Sequence, residues 1–380
     1  MNSEKEYFIY LLSCFLNDEK PCGQAVDWKV IYNLADNHDV AGIIAREIKL
    51  LPDDYKPKNE FKSYFNQQLG LTVKNYSVKE LAKEKIKAFF DKNEIKHIFV
   101  KGEVIKKYYP IPELRTSGDI DVTIQPEDFD KTLEIIKKSN TVILNVVSNT
   151  ITISLFKVEI EIHKYADVKS DYFDCVFDLC TLRDGYTYEM DKYTHLLYIT
   201  CHLCKHLAYR GAGIRMLMDM DVLVRAIENF NRDKFIKMCF EAEIGKSAEV
   251  LLSLCNLWFK TPVKPYYDIV KDISLITAFE HIMLDGGSFG YNINSIPFSS
   301  ADSSRIKTLL KLAFPDRDFL KVAYPYYEKH SFLLPVARAN RIADGFFKKR
   351  KQAKASVKQI MSDSNISAVQ RDLLNELEIK

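Results

Sequence analysis

Apolar positions recur at helical spacing through most of the first ninety residues. Residues 4–16 carry one apolar-rich helical pattern and residues 26–49 carry two shorter ones. Lys56-Pro57 breaks the chain, and a polar–apolar pattern free of proline then runs from Glu60 to Lys92, with Gly70 its one weak point. The period changes at Lys96. His97-Ile98-Phe99-Val100 is a short β-rich run, Lys101-Gly102 turns the chain, and Glu103 to Tyr109 is helical until Pro110 and Pro112 end it. Asp119 to Ile124 alternates acid with aliphatic residues, the period of a half-buried strand. Pro126-Glu127-Asp128 opens a helix through Lys138, with proline and acids in its first turn. Two β-rich runs follow, Thr141–Val147 and Thr150–Lys164.

After Asp167 the strand signal ends. Segments 171–179, 191–209, 214–228, 231–242, 245–259 and 264–285 fit helices, Pro297–Ser304 reads as a loop, and helices resume beyond it. These patterns predict an α+β fold: a small mixed sheet of four or five strands with helices on one face, embedded in two helical regions. The expected division is a helical region over 1–92, a mixed core over 93–168 and a helical domain over 169–380.

Composition narrows the possible functions. With 54 Lys+Arg against 52 Asp+Glu, the chain lacks the basic excess that nucleic-acid binding normally shows. Thirteen glycines and 12 prolines in 380 residues exclude collagen-like and linker-rich readings. Apolar stretches such as Leu196-Leu197-Tyr198-Ile199 fall far short of the roughly 20 residues that span a bilayer. The opening residues lack a basic region and a small-residue cleavage site, and eight cysteines form no dense framework. The expectation is a soluble, cytoplasmic protein with reduced thiols; its oligomeric state stays open.

The chemistry concentrates at Asp119-x-Asp121. Period two puts both carboxylates on one face of a short strand, while Ile120 and Val122 point into a core. Two acids held together on a rigid strand are costly unless a cation compensates them, and Mg²⁺ bound by carboxylates plus substrate phosphates is the natural one. Glu159 and Glu161 share a face of another strand, and either supplies a third acid. Three such acids can hold two metals, one for an attacking oxygen and one for leaving-group phosphates. Taken alone, the motif is better explained by two solvent-facing acids on an edge strand. Its neighbours shift the balance. Lys101-Gly102-Glu103 is a glycine turn at a helix start, and Arg115-Thr116-Ser117-Gly118 places a cation and hydroxyls just before the acids.

The run from Val100 to Phe129 resembles the signature of an uncharacterised bacterial nucleotidyltransferase-like family within the DNA polymerase β superfamily: K-G, then Y-P at Tyr109-Pro110, then R-x-x-G-D-I-D at Arg115–Asp121. Glu161-Ile162-His163 is similar to the family's next strand, so the resemblance favours Glu161 over Glu159. Cys201–His206 resembles its H-x-x-K-H helix, and Arg215–Asp219 its R-x-x-x-D element. The similarity extends through Phe314-Pro315, Tyr324-Pro325 and Leu334-Pro335 to about residue 345. One departure from the wider superfamily is Glu103, where serine or a second glycine usually follows the turn.

The resemblance implies attack of a substrate hydroxyl on the α-phosphate of an NTP, with Asp119, Asp121 and Glu161 as catalytic and metal-holding acids. It implies Mg²⁺, as two ions, with Mn²⁺ as the substitute. Lys101, Gly102, Arg115, Ser117, Gly118, His202, Lys205 and His206 are the nucleotide-binding candidates. The acceptor, a small molecule or a protein, is not named by the sequence, nor is the NTP. The alternative is a non-catalytic nucleotide-binding or protein-interaction module that keeps the fold.

Other features carry less. Cys201, His202, Cys204 and His206 invite a zinc reading, but the pairs diverge around a helix and no second pair follows at finger spacing. His163 reads as a partly buried, bonded histidine, and His195 is given no chemistry. The basic run Lys348–Lys354 reads as a solvated helix end.

Overall fold

A computed structural model describes residues 3–285 apart from 169, 210–211, 267–268 and 270–272. The loop predicted at Pro297–Ser304, the helices beyond it, the basic run and the C-terminal part of the family resemblance lie outside the described residues.

Three helices open the chain: α1 (Ser3–Asn17), α2 (Trp28–Asn37) and α3 (Ala41–Leu50). The Asp27 side chain accepts a hydrogen bond from the Lys29 N–H and so starts α2. Helix α4 (Asn59–Lys92) follows, 34 residues and therefore about 51 Å long. Gly70 does not interrupt it.

The sheet begins with β1 (His97–Phe99) and continues with β2 (Asp119–Ile124), β3 (Val142–Val147), β4 (Thr150–Leu155) and β5 (Val158–His163). Between β1 and β2 lies the four-residue α5 (Gly102–Ile105), which tightens into a 3₁₀ turn over Lys106–Tyr108. Helix α6 (Phe129–Lys138) connects β2 to β3. The β-rich run over 150–164 is two strands, reversed at Phe156 and Lys157, whose φ values are both positive.

Seven strands, not four or five, make the sheet. The added pair, β6 (Cys180–Asp184) and β7 (Thr187–Met190), reverses at Gly185 and joins through parallel pairing of β7 with β1. The expected end of strand structure at Asp167 is therefore corrected. These strands are short, β6 mostly exposed and β7 half-buried, so no apolar alternation marks them, and the free edge of β1 decides their pairing. The segment predicted as a helix over 171–179 is instead two 3₁₀ turns. Strand order is β3-β4-β5-β2-β1-β7-β6, with β2/β5 and β1/β7 parallel and the other pairs antiparallel.

The chain ends its described part with α7 (Lys192–Tyr209), α8 (Ile214–Ala226), α9 (Arg232–Glu241), α10 (Gly245–Phe259) and α11 (Ile273–Asp285). Two cores result. In one, Ile120, Val122, Ile124, Ile160 and Ile162 pack against Ala82, Ile86 and Phe90 of α4 and Ile136 of α6. The other joins α1–α3 to the helices after residue 190 and reaches Ile98 and Val100 beside the sheet. Helix α4 serves both, contributing Phe65 to the second. On β2, β4 and β5 the sheet face opposite α4 and α6 carries polar groups, while at β1 the second core covers it through Ile98.

Candidate active site

Parallel pairing of β2 with β5 fixes that polar face. The register sets Asp119 beside Glu159, Asp121 beside Glu161 and Thr123 beside His163. Because side chains alternate, all six project opposite the isoleucine and valine face. Two strands that each alternate acid with aliphatic residues thus bring four carboxylates together. Glu159 lies at the exposed end, and Glu161 is half-buried beside Asp121.

Asp121 is 5% exposed and accepts hydrogen bonds at Oδ1 from Lys101 Nζ (2.8 Å) and His163 Nε2 (3.0 Å). Burial opposes its ionisation, but Lys101 and then His163 outweigh burial and hold its carboxyl well below the usual range. Asp119 and Glu161 go the other way. Burial, then the charge of Asp121, raises both above ordinary carboxylates. The site therefore contains acids that lack sufficient positive charge around them. His163 is buried and bonded at both ring nitrogens, its Nδ1 lying 3.3 Å from Thr150 Oγ1.

The turn after β1 carries Lys101 into this cluster. Its backbone has φ 55° and ψ −131°, a conformation that costs a non-glycine residue about 1–3 kcal/mol. The ammonium lies 2.8 Å from Asp121 Oδ1 and 2.8 Å from Asp167 Oδ2. Asp167 follows β5 on an irregular segment and also receives Lys205 of α7, while Tyr198 and His202 of α7 lie against its backbone. The His202 and His206 rings meet edge to face at 4.5 Å, so two of the three α7 candidates are in mutual contact beside Asp167. Burial, with the nearby Lys101 charge, holds His202 well below an ordinary imidazole.

Gly102 and Arg115 explain each other. A Cβ on Gly102 would lie 2.1 Å from Arg115 Nη1. That guanidinium forks onto Asp219 of α8, with Nε 3.1 Å from Oδ1 and Nη2 2.6 Å from Oδ2, and Tyr109 Oη donates to the same carboxylate. Arg115 Nη1 donates to the Thr116 carbonyl. Thr116 Oγ1 in turn donates to the Asp39 carbonyl and accepts from Arg215 Nη1. The arginine, the tyrosine and the R-x-x-x-D element thus form one clamp that sets the loop ahead of Asp119. At Gly118 the next part of that loop is open: no atom outside its chain neighbours lies within 4 Å of the position a Cβ would take.

Two contributors escape sequence reasoning. Lys79, on α4, donates to the Ser117 carbonyl, to Ser117 Oγ at 2.7 Å and to the Asp119 carbonyl at 3.3 Å. Burial brings its ammonium down to about 8. Asp167 is the other. Neither sits in a motif; Lys79 is one lysine among many on a long helix, and Asp167 stands alone in a loop.

The residues present fit a divalent cation. Asp121, Glu161 and His163 bring potential ligand atoms within 4.8 Å of one another, the one such group among the described residues, and since His163 is spent on Asp121 and Thr150 the carboxylates are the ligands it leaves for the ion. Cys201 and Cys204 are buried in the helical core and take no part in it. No described helix is long and apolar enough to cross a membrane.

A family model described as an uncharacterised nucleotidyltransferase matches residues 24–260, more than half of the chain. No curated protein and no solved structure matches it.

Proposed function

The chain belongs to this family of uncharacterised nucleotidyltransferases, and from that premise we propose that it transfers a nucleoside monophosphate from an NTP to a hydroxyl of a small-molecule or protein acceptor, breaking the bond between the α- and β-phosphates and releasing pyrophosphate. The observation that carries the reading is the register of β2 on β5, which sets Asp119 and Asp121 beside Glu159 and Glu161 on one buried-edge face.

In this reading Asp119, Asp121 and Glu161 hold Mg²⁺, with His163 fixing the orientation of Asp121. The cation supplies charge neutralisation at the phosphates and lowers the cost of an attacking alkoxide. Glu161, half-buried beside Asp121, accepts the proton of the acceptor hydroxyl. Lys205, His202 and His206, on the helix that faces the acids, receive the triphosphate, and the backbone from Ser117 to Gly118 leaves it room to approach. Lys101 and the Gly102–Arg115 contact set the depth and angle of that loop. Positioning and fixed charge then supply most of the acceleration, as elsewhere in phosphoryl transfer.

Calorimetric titration of ATP, CTP, GTP and UTP, each with and without Mg²⁺, tests this. One nucleotide binds in a metal-dependent way to the native chain, and Asp119→Ala/Asp121→Ala weakens it at least tenfold. Absence of binding by all four under every metal condition sinks the reading. Metal-dependent binding with no turnover over a broad acceptor panel points instead to a non-catalytic nucleotide-binding module.

A further inference from the structure

The cluster holds a cation of its own. Four carboxylates meet here: Asp119, Asp121 and Glu161 on the strands, and Asp167 on the segment that follows β5. Lys101 Nζ bridges two of them, 2.8 Å from Asp121 and 2.8 Å from Asp167. Its side chain is only 14% exposed. A second divalent ion in a paired site does that same work, drawing carboxylates of separate segments onto one positive centre. The lysine reaches this point from a backbone conformation that L-residues avoid, so the turn is built around delivering the ammonium. Lys205 neutralises the far oxygen of Asp167. With Glu159 at the exposed end and Lys79 beside Asp119 counted too, five carboxylates stand against three ammonium groups, a deficit of two, which one divalent ion fills. Asp121 Oδ1 is taken by Lys101 and His163, which leaves its Oδ2 for an ion on the strand face it shares with Glu161.

We propose that the Lys101 ammonium is a built-in cation standing where a second divalent ion would otherwise bridge Asp121 and Asp167, so that this chain carries one metal site in place of two. The inference rests on the nucleotidyl-transfer reading above and replaces the pair of ions that the family resemblance implies with a single one. It also gives Asp167 a role: holding Lys101 and Lys205 in place, as a positioning residue that touches no reacting atom.

The test is a count of ions. Mn²⁺ alone is titrated into the full chain, free Mn²⁺ is followed by electron paramagnetic resonance, and folding of each variant is checked by circular dichroism. The native chain and Lys101→Arg bind one Mn²⁺ each. Lys101→Met binds two, and the bound ions give the broadened signal of a coupled pair. Should Lys101→Met not fold, Lys101→Gln, which keeps donors for both carboxylates without the charge, carries the same expectation of two. Two ions on the native chain, or one count shared by native and neutral variants, overturns the inference and leaves nucleotidyl transfer standing. No Mn²⁺ on the native chain overturns both.

Discussion

At Gly102 an added methyl group would come within 2.1 Å of a guanidinium that cannot easily move, because its fork onto Asp219 is buried and completed by Tyr109. The glycine is required by a close approach, since its own φ is not positive. Gly102→Ala therefore displaces Arg115 and strands the Asp219 carboxylate, at a cost of about 3–5 kcal/mol for breaking a buried pair. Asp219→Asn damages the same fork by a similar amount. Since both changes remove one interaction, their costs do not add: the double variant unfolds in urea at nearly the midpoint of the worse single variant. Additive losses would show that glycine and fork are independent. The K-G motif was legible in the sequence, but its reason was not, because Arg115 is 13 positions away and reaches Gly102 only once the loop is folded. Lys101 shows the same limit. Its charge was visible, whereas its seat between Asp121 and Asp167 depends on a loop residue that no spacing singles out.

Among elements, strands with strong alternation were the readable ones. Asp119–Ile124 was predicted with its observed bounds, because acid and isoleucine or valine alternate without a break. β6 and β7 were missed for the opposite reason: they are short and polar, β6 mostly exposed and β7 half-buried, and their pairing with β1 is a matter of backbone hydrogen bonds that any sequence can make. The β4–β5 hairpin hid its turn. Phe156 (φ 53°) and Lys157 (φ 67°) occupy two left-handed positions that glycine and asparagine fill at far lower cost, so the run read as one long strand. Phe156 is 59% exposed and contributes little to a core. Replacing the pair by Asn-Gly relieves two strained residues and stabilises the protein by roughly 1–2 kcal/mol. Differential scanning calorimetry should find the melting temperature raised by a few degrees, and a lowered one would show that the phenylalanine packs against something of consequence.

For the whole molecule, the helices that precede the sheet and those that follow it share one core. Asn17 at the end of α1 donates to the Phe259 carbonyl at the end of α10, and Phe8, Phe15 and Leu12 are buried in the same cluster as Leu251 and Phe259. The acidic residue at the heart of α3 gives this core a pH signature. Glu47 is fully buried, and burial lifts its carboxyl from 4.5 to about 7 despite the adjacent Arg46. The unfolded chain ionises it more readily, so its contribution to stability falls as pH rises from about 4.5 to 7. His195 slopes the other way: burial lowers it to about 4, and its contribution falls as pH drops below 6.5. Glu47→Gln removes the first term alone. It makes the protein more stable than the native chain by on the order of 2–3 kcal/mol at pH 8, and by almost nothing at pH 4.5. Urea midpoints at the two pH values measure this; a gain of equal size at both would assign the effect to packing.

Legible before any folding were the class of the fold, the helices of the first ninety residues, the acid-bearing strand and the residue types that make up the candidate site. These are local facts, written in periodicity and in side-chain chemistry that needs no partner to be recognised. Tertiary structure alone decided the register that sets Asp121 beside Glu161, the pairing that carries the sheet to seven strands, the commitment of Arg115 to Asp219, and the entry of Lys79, Lys101 and Asp167 into the acid cluster. Each of those rests on charges or backbone groups from segments far apart in the chain, whose meeting is fixed by packing and by the cost of leaving a buried charge without its counterpart.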